Sequence, residues 1–167
     1  MMPALARAAL RRAVFGRRAL LSGGSVLAGL GLAGCGLGAW TGLVNEVNIG
    51  SVTFVVASNA NDNSPVAIDV VIAYDQILLG ELIKLPARQW FERRDQFRRD
   101  YPQTIQIESW ELTPGQTLAA RPIDVRRYSS GALVYANYLG PGEHRVRVGK
   151  EKTLVITLGP KTFTTGS

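Results

Sequence analysis

The two side-chain types that most often carry catalysis or hold metals occur once each, as Cys35 and His144. A lone thiol excludes a disulfide framework and a Cys-based zinc cluster, and one imidazole excludes a helix that binds metal through paired histidines. The sequence contains no Gly-x-Ser-x-Gly elbow and no glycine-rich phosphate loop opening a helix. Glu108 and Glu111 are the nearest approach to a carboxylate pair, but they fall in a run that reads as a strand, where that spacing sends them to opposite faces. His144 opens an alternating run, with Val146 and Val148 on one side and Arg145 and Arg147 on the other, so it reads as a structural residue near solvent. These residues point away from an enzyme: no catalytic residue, metal ligand or cofactor is expected.

The remaining polar concentration is Asn59, Ala60, Asn61, Asp62, Asn63 and Ser64, between two β-rich runs. If those runs form a hairpin, the connection is longer than a hairpin requires. Three uses fit its composition. It could be an ordinary solvated loop, a calcium loop or a partner-binding tip on a rigid scaffold. Calcium is the poorest fit, because a hard cation wants more than one carboxylate.

Charge is unevenly placed. The net +6 includes Arg7, Arg11, Arg12, Arg17 and Arg18, all in an acid-free start, which leaves 14 basic against 13 acidic residues in the remainder. A nearly neutral body lacks the clustered cationic face of a nucleic-acid-binding domain, so no nucleic-acid partner is expected. After the arginines comes the apolar run Ala19–Leu32, too short for a membrane span of roughly 20 residues. An Arg-rich start, a short apolar run and a small-residue junction make residues 1–34 a signal peptide.

The junction itself, Leu32-Ala33-Gly34-Cys35, resembles the lipobox of bacterial lipoproteins. That resemblance implies that Cys35 becomes the acylated N-terminus of the mature protein, its covalent lipid anchoring the chain to a membrane without spanning it. Gly16-Arg17-Arg18-Ala19-Leu20-Leu21 looks like a twin-arginine signal, although Gly16 and Leu20 depart from the usual pattern; the general secretory route fits equally. Gly36 stands where an Asp would favour inner-membrane retention, which suggests the periplasmic face of the outer membrane.

With 46% hydrophobic and 19% charged residues in 167, the chain can bury one core with an attached segment. Residues 35–49 read as lipidated Cys and tether, 50–159 as the folded domain and 160–167 as a C-terminal tail. Strands are expected over 51–57, 66–74, 104–112, 131–139, 144–148 and 153–158, with a weaker run at 117–127 that Pro122 confines to a sheet edge. Alternation of Val66, Ile68, Val70, Ile72 and Tyr74 predicts one buried face. Ile105 and Ile107 share one parity and Trp110 and Leu112 the other, which predicts a bulge near Ser109. Between the second and third strands the period becomes helical: Leu78, Leu82 and Leu85 repeat, then Pro86 opens a second helix with Trp90, Arg94, Phe97 and Tyr101 on one face. Asp95 and Arg99 have the spacing of an exposed helical ion pair. The fold class is mainly β, an antiparallel β-sandwich with a helical insertion at about 76–100.

In their order, the lipobox, the Asn/Asp loop, Pro65-Val66-x-Ile68-x-Val70-x-Ile72-x-Tyr74, the helical Trp90-Phe91 and the turn Leu112-Thr113-Pro114-Gly115 resemble the type VI secretion lipoprotein family (SciN/TssJ). The stretch Tyr74-Asp75-Gln76-Ile77-Leu78 departs from its usual pattern. The resemblance implies a transthyretin-like β-sandwich on the periplasmic face of the outer membrane, binding the periplasmic part of an inner-membrane TssM-type protein. It also implies that Asn59–Ser64 contribute to that contact and that there is no small-molecule substrate. The competing function is a stand-alone periplasmic module binding glycan or peptide through Trp90, Trp110 and Tyr128 as a stacking surface.

Cys35→Ala is expected to abolish palmitate labelling and to move the protein out of the membrane fraction. Equal membrane recovery, with no labelling of the wild type, would refute Cys35 as the anchor.

Overall fold

The computed structural model describes residues 47–167; Cys35, the segment 1–34 and the tether as far as residue 46 lie outside the described residues. The elements run β1 (Ser51–Val56), β2 (Val66–Ala73), α1 (Gln76–Leu82), α2 (Ala87–Asp100), β3 (Ile105–Leu112), β4 (Arg121–Pro122), β5 (Gly131–Ala136), β6 (Arg145–Val148), β7 (Thr153–Leu158) and β8 (Phe163–Gly166). They build two four-stranded sheets, β4-β1-β7-β8 and β3-β2-β5-β6. The result is a β-sandwich with a helical insertion between β2 and β3.

The two central strands of the second sheet, β2 and β5, are dry on both faces. Val66, Ile68, Val70 and Ile72 of β2, with Ala132, Val134 and Ala136 of β5, pack against Val52, Phe54, Leu154, Ile156 and Leu158 of the first sheet. The opposite parity, Val71, Ala73, Leu133 and Tyr135, packs under Leu78, Leu82, Trp90 and Phe97 of the helices. A strand covered on both sides has no wet parity to mark, which is why β5 reads as an unbroken apolar run.

This layering also removes the bulge expected at Ser109. The β2–β3 register is continuous from Val66 opposite Leu112 to Ala73 opposite Ile105. The change of parity has another cause: Ile105 and Ile107 join the helical layer, whereas Trp110 and Leu112 join the sandwich core. A single unkinked strand serves both layers, one at each end.

Three other expectations change. β1 and β2 lie in different sheets, so residues 57–65 cross between layers and do not close a hairpin. The sandwich is not wholly antiparallel, because β1 pairs β7 in parallel from Ser51–Thr153 to Val56–Leu158. The domain is also wider than 50–159. Val47 and Ile49 are core residues, and the expected tail contains β8, paired antiparallel to β7 through Leu158–Phe163. A single buried apolar side chain, Phe163, in a stretch of Thr and Gly gave too little alternation to read. The weak run at 117–127 reduces to β4 at a sheet edge, with Pro122 opposite Ser51.

Asp75 caps α1, its Oδ1 accepting from Leu78 N at 2.8 Å. On α2, Asp95 pairs with Arg98 at 3.1 Å, one residue short of the expected Arg99. A buried polar contact docks the helices: Trp90 Nε1 donates to Asp69 Oδ2 at 2.8 Å, with Arg94 Nη1 at 3.5 Å from the same oxygen. Trp90 stacks on Tyr135 with ring centroids 5.0 Å apart, and the Tyr135 hydroxyl donates to Leu82 O at 2.7 Å, closing α1. Burial pushes the Tyr135 phenol above its ordinary range.

Trp90→Phe is expected to cost about 2–3 kcal/mol in urea unfolding, since it strips the best donor from a fully buried carboxylate. Phe97→Leu, on the same face without a hydrogen bond, should cost about 1 kcal/mol. Equal losses would show that the Asp69 contact contributes nothing.

Candidate functional site

One pole of the sandwich gathers the connections at 57–65, 113–116, 137–144 and 159–162. The main chain ties them together: Gly115 N donates to Ala57 O at 3.0 Å, Asn61 N to Gly159 O at 3.2 Å and Asp62 N to Pro160 O at 3.0 Å. Within the first connection, Asn61, Asp62 and Asn63 take φ of 49°, 51° and 64°. Left-handed backbone costs an L-residue roughly 1–2 kcal/mol, least for Asn and Asp. That conformational demand explains the composition better than solvation does.

Asn61 holds the turn in place. It is 1% exposed; its Nδ2 donates to Pro65 O at 2.8 Å, and its Oδ1 accepts from Leu139 N at 2.8 Å. Ala60 is buried in the sandwich core. Of the six residues expected to meet a partner, the structure therefore turns Ala60 and Asn61 inward and leaves Asn59, Asp62 and Asn63 exposed, with Ser64 half-buried. The calcium alternative weakens further, because the Asn61 amide oxygen is already occupied by a backbone N–H and Asp62 is still the loop's one carboxylate.

Residues 137–144 were not expected to matter. Tyr138 donates its hydroxyl to Gly159 O at 3.1 Å and Thr162 O at 2.9 Å, and burial pushes its phenol up to about 12. Its ring stacks on His144, centroids 4.8 Å apart. His144 Nε2 lies 3.1 Å from Gly140 O; a carbonyl can only accept, so this nitrogen carries the proton. Gly142, at φ 151°, has no room for a side chain, since a Cβ there would sit 2.8 Å from His144 Nε2. The loop so braced presents Leu139, 71% exposed, beside a cavity of about 530 Å³ lined by Arg88, Asn137, Tyr138, Pro141 and His144 among others. A leucine next to Gly140-Pro141-Gly142 is the available signal in the sequence, but the strand expected over 131–139 includes it, whereas β5 ends at Ala136.

Among the described residues, no three His, Cys, Asp or Glu side chains come together as a metal site, and no helix is long and apolar enough to cross a membrane. The tip can offer fixed amide and carboxylate groups and one apolar side chain to a macromolecular surface. The stacking surface of the competing function is not assembled. Trp90 is buried, and half-buried Trp110 packs on Phe54 with centroids 5.1 Å apart. Tyr128 alone is exposed.

No protein-family model matches the sequence, and no curated protein is found similar to it. Solved structures do resemble the fold. One is Lip of Serratia marcescens, a membrane-bound component of the type VI secretion system, at TM-score 0.54 and 15% identity over 70% of this chain and 96% of that one. Another is the type VI secretion lipoprotein TssJ1 of Pseudomonas aeruginosa, at TM-score 0.50 and 16% identity over 70% of this chain and 92% of that one. A chain of a type VI membrane complex matches at TM-score 0.55 and 15% identity over 71% and 99%. The sandwich with its helical insertion is the fold of these proteins.

Asn61→Ala is expected to destabilise the protein by about 3 kcal/mol, because it leaves Leu139 N and Pro65 O without partners and puts a Cβ-bearing residue without a stabilising side chain at positive φ. Asn61→Gly should recover about 1 kcal/mol of this by relieving the backbone alone. Chemical denaturation measures both; a wild-type midpoint for Asn61→Ala would remove Asn61 as the organiser of the tip.

Proposed function

We propose that the protein is the outer-membrane lipoprotein of a type VI secretion membrane complex, held by lipid on Cys35 and binding the periplasmic part of an inner-membrane TssM-type protein through the loop tip. Its role in that complex is assembly, without catalysis. The observation that carries the reading is the fold likeness, which spans 92–99% of the three solved chains. The lipobox at Cys35 and the Gly at position 36 add the anchor and the membrane.

The contact is assigned to Asn59, Asp62 and Asn63, with Ser64 and Leu139 beside them. These groups stand on a turn braced by two neighbouring loops, so binding loses little chain entropy on ordering them. Gene neighbours encoding sheath and membrane-complex proteins would support this reading over a stand-alone binding module.

The variant Asn59→Ala/Asp62→Gly/Asn63→Gly removes the exposed side chains while permitting positive φ, so the fold should persist. Its affinity for a TssM-type periplasmic domain, measured by calorimetry, is expected to fall at least about tenfold, equivalent to ~1.4 kcal/mol. Unchanged affinity in the folded variant would place the interface elsewhere.

A further inference from the structure

The opposite pole has a different chemistry. There the chain enters the fold, with Asn48 N bonded to Gly149 O, Gly50 N to Lys152 O at 2.9 Å, and Ile123 N to Gly50 O at 3.0 Å. β1 and β7 both start at this end, β6 finishes here, and Ser130 N donates to Ala73 O at 2.7 Å, bringing in the end of β2. The strands separate this pole from the loop tip by about 20 Å, for six residues at roughly 3.3 Å each.

We propose that this entry pole is a seat for the anionic phospholipid surface of the membrane that carries the anchor. Arg121, Arg126, Arg127, Lys150 and Lys152 are all exposed here. Against them stand Asp75, Asp124 and Glu151; Asp75 Oδ1 accepts from Leu78 N at 2.8 Å and the Glu151 carboxylate from Gly149 N at 2.8 Å. α2 ends near the same pole, where Ile105 N donates to Tyr101 O at 3.1 Å, and brings Arg99 and Asp100 there, Arg98 being paired with Asp95. The tip carries a smaller excess: Asp62 and Glu143 stand against Lys161, Arg88 and Arg145, the last paired with Glu143 at 3.3 Å. The positive excess of this nearly neutral body is therefore greater at one end of its strands, and the separation exceeds the ~8 Å over which salt screens charge at physiological ionic strength.

Two features pick out lipid among anionic partners. The first is connectivity: eleven residues lie between Cys35 and Val47, so the twelve steps reach about 40 Å at most, and they attach at this pole. The second is Tyr128, 55% exposed beside Arg126 and Arg127, an amphipathic ring of the kind that settles at a headgroup boundary. Basic side chains near an acylated terminus supply the second of two membrane signals, holding the domain down at one end. The tip would then face away from the membrane. The proposal rests on the membrane-anchored reading above for its orientation, but its charge chemistry is testable apart from it.

The test is sedimentation of the full chain with vesicles of phosphatidylcholine alone and of phosphatidylcholine with about 30% phosphatidylglycerol. Arg127→Glu/Lys150→Glu/Lys152→Glu should bind the phosphatidylglycerol vesicles at least about tenfold more weakly than wild type and the phosphatidylcholine vesicles equally. Lys84→Glu/Arg88→Glu/Lys161→Glu, the same charge change made away from the entry pole, should stay within about twofold of wild type on both. Wild-type affinity in the first variant, an equal loss in the second, or no preference of the wild type for phosphatidylglycerol would each overturn the proposal, the last pointing instead to an acidic protein surface. Because the arginines of residues 1–18 are common to all three proteins, they do not affect the comparison. Failure of palmitate labelling at Cys35 would overturn the anchor and leave this result standing.

Discussion

β2 has no wet face, and most of the architecture follows from that constraint. Its two rows of side chains must both be covered, and the chain supplies one sheet for the first row and two helices for the second. The helices are brought in by the connection that leaves β2, so the strand recruits its own second cover. Within the covered row sits Asp69, a fully buried carboxylate whose Oδ2 takes the indole N–H of Trp90 and whose Oδ1 has no hydrogen-bond partner. Burying a charge is costly unless it is paired. Such a contact specifies where α2 lies more than it stabilises the whole, because any shift of the helix removes the donor.

The loop tip obeys a related rule on a smaller scale. A crossing between sheets must bury backbone polar groups near the core edge, and each needs a partner. Asn61 meets that need for Pro65 and Leu139 by turning its own amide inward. Asp62 and Asn63 are thereby carried outward on left-handed backbone. Rigidity and exposure at the tip are two results of one turn, which is how a short polar loop comes to hold its outward side chains in fixed positions.

Much of this was legible in the sequence. The alternation in 66–74, the shift to helical spacing after Tyr74, the proline opening α2 and the Pro122 edge all survive in the structure. What escaped was information about covering layers. Ile105, Ile107, Trp110 and Leu112 looked like a phase error only because one sheet face was assumed to be solvent. The parallel pairing of β1 with β7 leaves no local trace, being set by partners about a hundred residues apart. For the candidate site, composition marked the loop, but Asn59 and Asn61 are indistinguishable by type: only the neighbouring Leu139 amide decides which one faces inward.

The place of β1 in the chain also has a mechanical meaning. Val47 leads into one end of β1, and residues 57–65 leave from the other. Under the proposed roles, tension between an anchored N-terminus and a tip held at Asn59, Asp62 and Asn63 would pass along the covalent backbone of β1 itself, leaving the rungs from Ser51–Thr153 to Val56–Leu158 unloaded. Resistance to forced opening is governed by the unfolding barrier rather than by equilibrium stability, and a load path confined to one strand does not draw on that barrier.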